Sequence, residues 1–176
     1  MYKKNFEVSL ISSNFDHTNK KFRFKKVNKF KQIRLKKNLN LVLINSSGYK
    51  KNIGFSRLID HFLLGLNLKY FLNSSKKKID FAIIGFPPIE PAIMLSNWLY
   101  SNKIPHLFDI KDLWPEYFYE RIKNNLLSSI IKIFFSSYDF FLKKSLSNSS
   151  AITSYNTFFL KYILKKINKK KSKNDH

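Results

Sequence analysis

The chain has 176 residues, of which 44% are hydrophobic and 16% aromatic, and its formal net charge is +22. This apolar content is enough to build the core of one domain, which excludes a chain that is disordered throughout. The absence of cysteine excludes disulfide bridges and thiolate metal sites. No pair of histidines has metal-ligand spacing among His17, His61, His106 and His176.

The positive charge has two interpretations. A polyanionic partner, such as nucleic acid or anionic lipid, would explain it. A genome rich in A and T would also load the chain with lysine, and this interpretation is favoured because the lysines are spread along the sequence rather than gathered on one face. No helix-turn-helix, zinc or RNA-recognition signature accompanies the lysines, so we expect no nucleic-acid partner.

The first residues, MYKKNFEVSLISSNFD, contain an apolar stretch too short for a signal peptide. No segment reaches the roughly 20 uncharged apolar residues of a membrane-spanning helix. We therefore expect a cytoplasmic protein, with peripheral contact at the inner face of the plasma membrane as an extension of that expectation.

The first half of the chain begins with strand patterns. Phe6–Ile11 alternates apolar and polar residues as a half-buried strand does, and short basic strands are predicted at Lys21–Val27 and Leu39–Ile44. A core-facing helix follows, predicted from the three-and-four spacing of its apolar residues. These residues are Phe55, Leu58, Ile59, Phe62, Leu63 and Leu66.

A strand–helix–strand unit is the clearest fold signal. Ile79–Phe86 is a near-continuous apolar run, typical of a parallel strand buried on both faces, and Pro87 and Pro88 end it. Pro91 suits the first turn of the helix that comes next, and His106–Ile110 is the following strand.

Three further segments complete the pattern. Residues 126–146 are predicted to form a long amphipathic helix, for which burial against the sheet is favoured over contact with an anionic membrane. AITSY predicts a short strand, and TFFLKYIL predicts a last helix. The basic tail, residues 165–176, has lost apolar periodicity and is predicted to be frayed.

Chemistry-bearing residues cluster where the strand His106–Ile110 ends, in the segment HLFDIKDLWPE. In open α/β sheets, ligands bind at the carboxyl edge of the strands. Candidate site residues in this segment are Asp109, Lys111, Asp112 and Glu116. The Pro87–Pro88 loop ends a neighbouring strand, and His17 follows a third.

These segments resemble the family 4 glycosyltransferases of GT-B fold that build bacterial O-antigens and capsules, especially those of the N-acetylaminosugar transferase type. That group carries a D-x-R-D-L-W-P-E motif, in which this chain has Lys111 at the arginine position. Three further stretches fall in the family's order: FEVSLISSNFDHTNKK, GYKKNIGFSR and IIGFPP. The resemblance covers roughly residues 6–160.

The resemblance implies an α/β, doubly wound, Rossmann-like parallel sheet over residues 1–164, forming the acceptor-side lobe of the enzyme. It implies a metal-independent, retaining transfer of a sugar from a nucleotide diphosphate to a lipid-linked glycan, in O-antigen or capsule biosynthesis. No cofactor is expected, and the nucleotide sugar would be bound mainly by a C-terminal domain that this sequence lacks. The family's first strand and its Gly-rich loop also have no counterpart here.

The implied roles are catalytic for Asp112 and Asp109, and substrate-binding for Lys111, Pro87, Pro88, His17 and Glu116. Structural alternatives stay open beside them. Asp112 fits an N-cap carboxylate equally well, Asp109 fits better as a group that orients Lys111, and Glu116 fits a helix cap. An isolated loop histidine such as His17 is more often a surface residue, and Phe86 stands where relatives have a small polar residue.

Two alternative functions remain. In the first alternative, the chain is an inactive gene fragment or a subunit that depends on a separate chain for the missing domain, and such a chain would expose apolar surface. A basic nucleic-acid-binding protein is the remote alternative, because charge alone suggests it.

Overall fold

A computed structural model describes residues 6–52, 54–112 and 126–176, without the side chains of residues 126–135 and 137. The chain divides into two compact units, Met1–Lys76 and Lys77–His176.

The first unit contains a three-stranded sheet, a short ribbon and one helix. Its elements are β1 (Val8–Ser13), β2 (Phe15–Asp16), β3 (Lys21–Phe22), β4 (Phe30–Lys36), β5 (Leu39–Ile44) and α1 (Phe55–Ser74). The sheet has the order β1-β5-β4, with β1 parallel and β4 antiparallel to β5. Strands β2 and β3 form a separate antiparallel ribbon.

Strands β1 and β5 confirm two sequence predictions, whereas the predicted strand at Lys21–Val27 is only the two-residue β3. Strand β4 was not predicted, because the apolar residues of FKQIRLK do not alternate with polar ones. It forms through backbone pairing with β5 across a tight connection, and its charged side chains are typical of a sheet edge.

The prediction of the core-facing side of α1 is wrong. Phe55, Ile59, Phe62 and Leu66 of the expected stripe are 43–75% exposed, whereas the buried side carries Asp60, Gly65, Leu68, Phe71 and Leu72. The helix has apolar residues around much of its circumference, so spacing alone could not select a face. Its contacts select it: the Phe71 ring packs edge-on against Phe30 of β4 at 5.0 Å, and the Asp60 carboxylate accepts a hydrogen bond from the Gly48 N–H.

In its described residues, the second unit is a parallel sheet with three helices. Its elements are β6 (Ala82–Phe86), α2 (Ile89–Ser101), β7 (His106–Ile110), α3 (Leu126–Ser147), β8 (Ala151–Ser154) and α4 (Thr157–Lys166). The strand order β6-β7-β8 follows the chain, and both pairs are parallel. This confirms the predicted strand–helix–strand unit, including Pro91 in the first turn of α2.

One face of this second sheet carries the core. Ile84, Phe86, Phe108 and Ile110 are at most 3% exposed and pack with side chains of all three helices, among them Leu142. The predicted burial of α3 is therefore confirmed at its C-terminal half. The opposite face of the sheet is open, and the expectation that β6 is buried on both faces is wrong, because Ile83 is 66% exposed.

The basic tail is not frayed as expected. The peptide of His176 pairs with β8, through Ser154 N–H donating to its carbonyl at 2.7 Å and its own N–H donating to Ile152 at 3.1 Å. Asp175 is fully buried and accepts hydrogen bonds from the N–H groups of Ile152 and Ser172. Asp175 and His176 anchor the tail to β8. The spacing of apolar residues could not predict these contacts, because the two residues make them through a carboxylate and a backbone peptide.

The chain thus has the predicted α/β class, with parallel strands in both units. Within the described ranges, none of the helices combines the length and apolarity needed to cross a bilayer.

Candidate functional site

The carboxyl edge of the second sheet brings together most of the predicted site residues. Strands β6, β7 and β8 end side by side, so the segments beginning at Pro87, Lys111 and Tyr155 leave the sheet at one edge. This is the edge at which open α/β sheets bind ligands.

A row of three residues crosses the open face next to this edge. Asp109 of β7 pairs in register with Gly85 of β6 and with Thr153 of β8. The Thr153 hydroxyl is 3.4 Å from an Asp109 carboxylate oxygen. A side chain at Gly85 would meet no described residue within 4 Å, so the described part of the chain leaves the space beside the carboxylate open. The row therefore forms a shelf with one carboxylate and one hydroxyl on an accessible surface.

Lys111 adds a cation to the shelf at the carboxyl edge of the sheet. Its ammonium is 3.6 Å from Asp109 Oδ2, and its backbone N–H donates to the Phe86 carbonyl at 2.9 Å. The two side chains of this ion pair are 64% and 34% exposed, so the pair contributes at most about 1 kcal/mol to stability. The pair places a cation beside the carboxylate, which agrees with the alternative that Asp109 orients Lys111.

Three other predicted residues, Pro87, Pro88 and Asp112, lie near this edge. Pro87 and Pro88 are half-buried and follow Phe86, whose side chain is fully buried in the core and is not part of the shelf. Both proline peptide bonds are cis. Asp112 is exposed, three residues beyond Asp109. Glu116 lies outside the described residues.

His17 belongs to the first unit of the chain. It lies in the turn between β2 and β3, where it is exposed, and its ring nitrogen is 3.4 Å from the hydroxyl of Thr18. Asp16 organises this turn by accepting hydrogen bonds from the side chain and backbone of Asn19 and from the backbone of Thr18, and these bonds lower the pKa of the Asp16 carboxyl. The surroundings of His17 agree with an ordinary surface histidine.

Sequence reasoning did not select a cationic cluster around Tyr49, at the end of the first sheet. The Lys20 ammonium lies 4.3 Å from the Tyr49 ring centre, and the Arg57 guanidinium lies 5.8 Å from it. Arg57 also donates to the Asn52 carbonyl at 2.7 Å, and the His61 ring meets the Tyr49 ring edge-on at 6.1 Å. The signal was present in the GYKKNIGFSR segment, where Tyr49, Asn52 and Arg57 carry the resemblance.

Thr153 and Gly85 were also missed. Their signal is positional: each is one residue before the end of its strand, as Asp109 is, and parallel strands in register bring such positions into one row.

Two buried polar pairs in the second unit have structural roles. His106 is 1% exposed and lies at the amino end of β7, away from the shelf. Its Nε2 is 2.9 Å from the Ser96 hydroxyl oxygen, and its Nδ1 is 3.2 Å from the Ile104 carbonyl oxygen. Burial and the neighbouring Glu90 carboxylate raise the pKa of Tyr138, whose hydroxyl bonds Glu90. In the part of the chain that is described, no three His, Asp or Glu side chains are grouped as metal ligands would be.

No protein-family model matches the sequence, and no curated protein matches it. What the geometry provides is a carboxylate, a hydroxyl and a cation on an open shelf. Such a set can accept a hydrogen bond from a sugar hydroxyl and attract a phosphate oxygen.

Proposed function

We propose that this chain is the acceptor-side domain of a GT-B glycosyltransferase of the family 4 type, with a doubly wound, Rossmann-like fold. The observation that carries the proposal is the shelf formed by Asp109, Lys111 and Thr153 at the carboxyl edge of a parallel sheet. The D-x-K-D-L-W-P-E segment adds to it, because two of the shelf residues belong to that segment.

Glycosyl transfer develops positive charge on the donor sugar while a diphosphate leaves, so the reaction needs cations near phosphate and oxygen acceptors near the reacting hydroxyl. In this proposal Asp112 accepts a hydrogen bond from the acceptor hydroxyl. Asp109 holds the Lys111 ammonium beside the phosphate of a lipid-linked acceptor. The donor is a nucleotide sugar held mainly by another domain, and the reaction belongs to O-antigen or capsule synthesis at the inner face of the plasma membrane.

Binding of the acceptor class tests the proposal without requiring a complete enzyme. The full chain is titrated with a short-chain prenyl diphosphate that carries an N-acetylhexosamine, and binding is followed by calorimetry. Lys111→Gln and Asp112→Asn are each expected to weaken binding by about tenfold, the loss of one charge-assisted hydrogen bond.

The chain offers a matched control near the amino end of β6, at the other end of the strands of the same sheet. Lys78 and Asp80 form an ion pair at 3.5 Å, close to the Lys111–Asp109 distance, but they precede β6. Lys78→Gln and Asp80→Asn should leave the affinity unchanged. If the prenyl diphosphate does not bind, or if the control variants weaken binding as much as the shelf variants do, the proposal is wrong.

A partner-dependent subunit is the second candidate, favoured by large exposed apolar side chains such as Leu10 and Ile83. In that case the titration with the isolated chain fails, and binding is recovered only when a second polypeptide covers those side chains.

A further inference from the structure

Helix α1 carries a row of exposed apolar side chains on the side that faces away from its sheet. The members of this row recur three or four residues apart, so they lie within an arc of about 80° around the helix. The buried residues, among them Leu68 and Phe71, lie on the opposite side. The row is called the α1 stripe and consists of Phe55, Ile59, Phe62, Leu66 and Tyr70, which are 43–75% exposed.

A helix with apolar residues on two opposite sides is normally covered on both of them. The first sheet covers one side of α1, through contacts such as that of Phe71 with Phe30. Among the described residues of the first unit α1 is the one helix, so no second helix of that unit packs on the α1 stripe. Exposed apolar rows of this size mark surfaces that contact another molecule or a membrane.

The surroundings of the α1 stripe are cationic. Lys51 precedes the helix, Lys69 lies on its exposed side and Lys76 follows it, and all three are exposed. The Lys29 ammonium lies 3.6 Å from the ring centre of Tyr70, at the C-terminal end of the stripe. An apolar row with lysines beside it fits the boundary between the headgroups and the acyl chains of an anionic bilayer.

The exposed side of the helix carries no carboxylate. Asp60, the one acidic residue of α1, is 2% exposed and accepts a hydrogen bond from the Gly48 N–H on the buried side. From His17 to Ile59 the sequence contains 13 Lys or Arg residues and no Asp or Glu. An anionic surface would therefore meet attraction along the whole stripe. A second copy of the chain would be repelled, because each copy carries a net charge of +22.

The shape and the residue types of the α1 stripe favour a lipid surface over a protein partner. The stripe extends for about 22 Å along one helix, as a single ridge that can lie flat in a membrane surface. Aromatic rings stand at both of its ends and in its middle. The cations around it are lysines, which attract lipid headgroups without the fixed two-point geometry that arginine brings to protein carboxylates.

We propose that the α1 stripe and the lysines around it dock the first unit on an anionic membrane surface, with α1 lying in the plane of that surface. The inference goes beyond the proposed function, which names a lipid-linked acceptor but no surface that contacts the bilayer. The test uses vesicles without any acceptor, so a failure of this inference is distinct from a failure of the calorimetric titration.

Partitioning of the full chain between buffer and sedimented vesicles tests the docking. The vesicles contain phosphatidylcholine with about 30% phosphatidylglycerol, and vesicles of phosphatidylcholine alone are the control. We expect the partition coefficient to be at least about tenfold higher for the anionic vesicles. It should fall as salt is added, because salt screens the attraction between the lysines and the headgroups.

Variants separate the α1 stripe from the positive charge of the rest of the chain. Phe62→Glu removes an apolar side chain from the middle of the stripe and adds a negative charge, so partitioning onto anionic vesicles should fall by about tenfold or more. Phe81→Glu is the matched control, because Phe62 and Phe81 are both 50% exposed, but Phe81 precedes β6 in the second unit. It makes the same change in net charge and should weaken partitioning far less. Urea unfolding of both variants verifies that each is folded.

A single label reports whether the stripe itself enters the membrane surface. Because the chain has no cysteine, Phe62→Cys provides one attachment point for a polarity-sensitive dye. The emission of this dye should shift to shorter wavelengths when anionic vesicles are added. The same dye on the Phe81→Cys variant should keep its emission unchanged.

Three outcomes would overturn the proposal. In the first, the chain does not partition onto anionic vesicles more strongly than onto neutral ones. In the second, Phe62→Glu and Phe81→Glu weaken partitioning equally. In the third, the dye on Phe62→Cys already emits at short wavelength without vesicles and does not respond to them, which would mean that protein rather than lipid covers the α1 stripe.

Discussion

Asp175 should anchor the end of the chain to the second sheet. Its buried carboxylate accepts from Ile152 N–H at 2.9 Å and from Ser172 N–H at 2.8 Å, with the Lys169 ammonium at 3.5 Å. A hydrogen bond to a charged group contributes about 1.5–3 kcal/mol. Asp175→Asn keeps one acceptor oxygen but replaces the other with an NH2 group, which would face a backbone N–H donor. We therefore expect the free energy of unfolding to fall by about 2 kcal/mol. Asp175→Ala removes both bonds, and we expect a loss of about 3–4 kcal/mol.

The assay is urea unfolding followed by tryptophan fluorescence, together with hydrogen exchange at the Ile152 amide. Asp80→Asn is the control: Asp80 also pairs with a lysine, but it is 82% exposed, so the change should cost less than about 0.5 kcal/mol. Equal losses for Asp175→Asn and Asp80→Asn, with unchanged exchange at Ile152, would refute the reasoning.

The same carboxylate predicts a pH dependence. Burial alone would raise the pKa of Asp175, but the hydrogen bonds from Ser172 and Ile152 outweigh it and hold the pKa below its ordinary value of 3.8. The unfolded chain therefore binds the proton more readily. The stabilisation is complete above that ordinary value and is lost as the pH falls through the lower folded pKa. Asp175→Asn should remove this part of the acid sensitivity, which unfolding curves in buffers above and below pH 3.8 would measure.

Three other predictions concern single positions. Burial lowers the pKa of His106 below 6.5, so its contribution to unfolding free energy is present above about pH 6.5 and lost as the pH falls through the folded value; His106→Gln should flatten that part of a stability–pH curve. Phe108→Ala should lower the free energy of unfolding in urea by about 3–5 kcal/mol. Ile83→Ala, on the open face of the same sheet, should change it by no more than about 0.5 kcal/mol. Gly48→Ala should cost about 1–2 kcal/mol, because φ is +71° and the new Cβ would lie 3.0 Å from the Phe15 ring; an unchanged midpoint would contradict this.

Sequence reasoning succeeded where one local pattern decides the structure. The run Ile79–Phe86 ends at two prolines, Pro105 stops the following helix, and the crossover has the length of a strand–helix–strand unit, so both strands and the helix between them could be predicted. It failed where partners distant in sequence decide. The face of α1 depends on Phe30, and the burial of Asp175 depends on a backbone group 23 residues away.

The candidate site divides in the same way. Asp109 and Lys111 could be found because they lie in one segment at a strand end. Thr153 is 44 residues from Asp109 and has no motif of its own, so only the register of β7 and β8 brings it to the shelf.

The open faces of the two sheets have different consequences for stability. In the second unit, α2, α3 and α4 share one core, so the exposed Ile83 lies on a sheet that is already held together. In the first unit, α1 is the one helix among the described residues. Val8 and Leu10 of β1, on the sheet face opposite α1, are 48% and 55% exposed. Burying a leucine side chain contributes about 1.5–3 kcal/mol. Covering the open face should therefore raise the stability of the first unit more than that of the second.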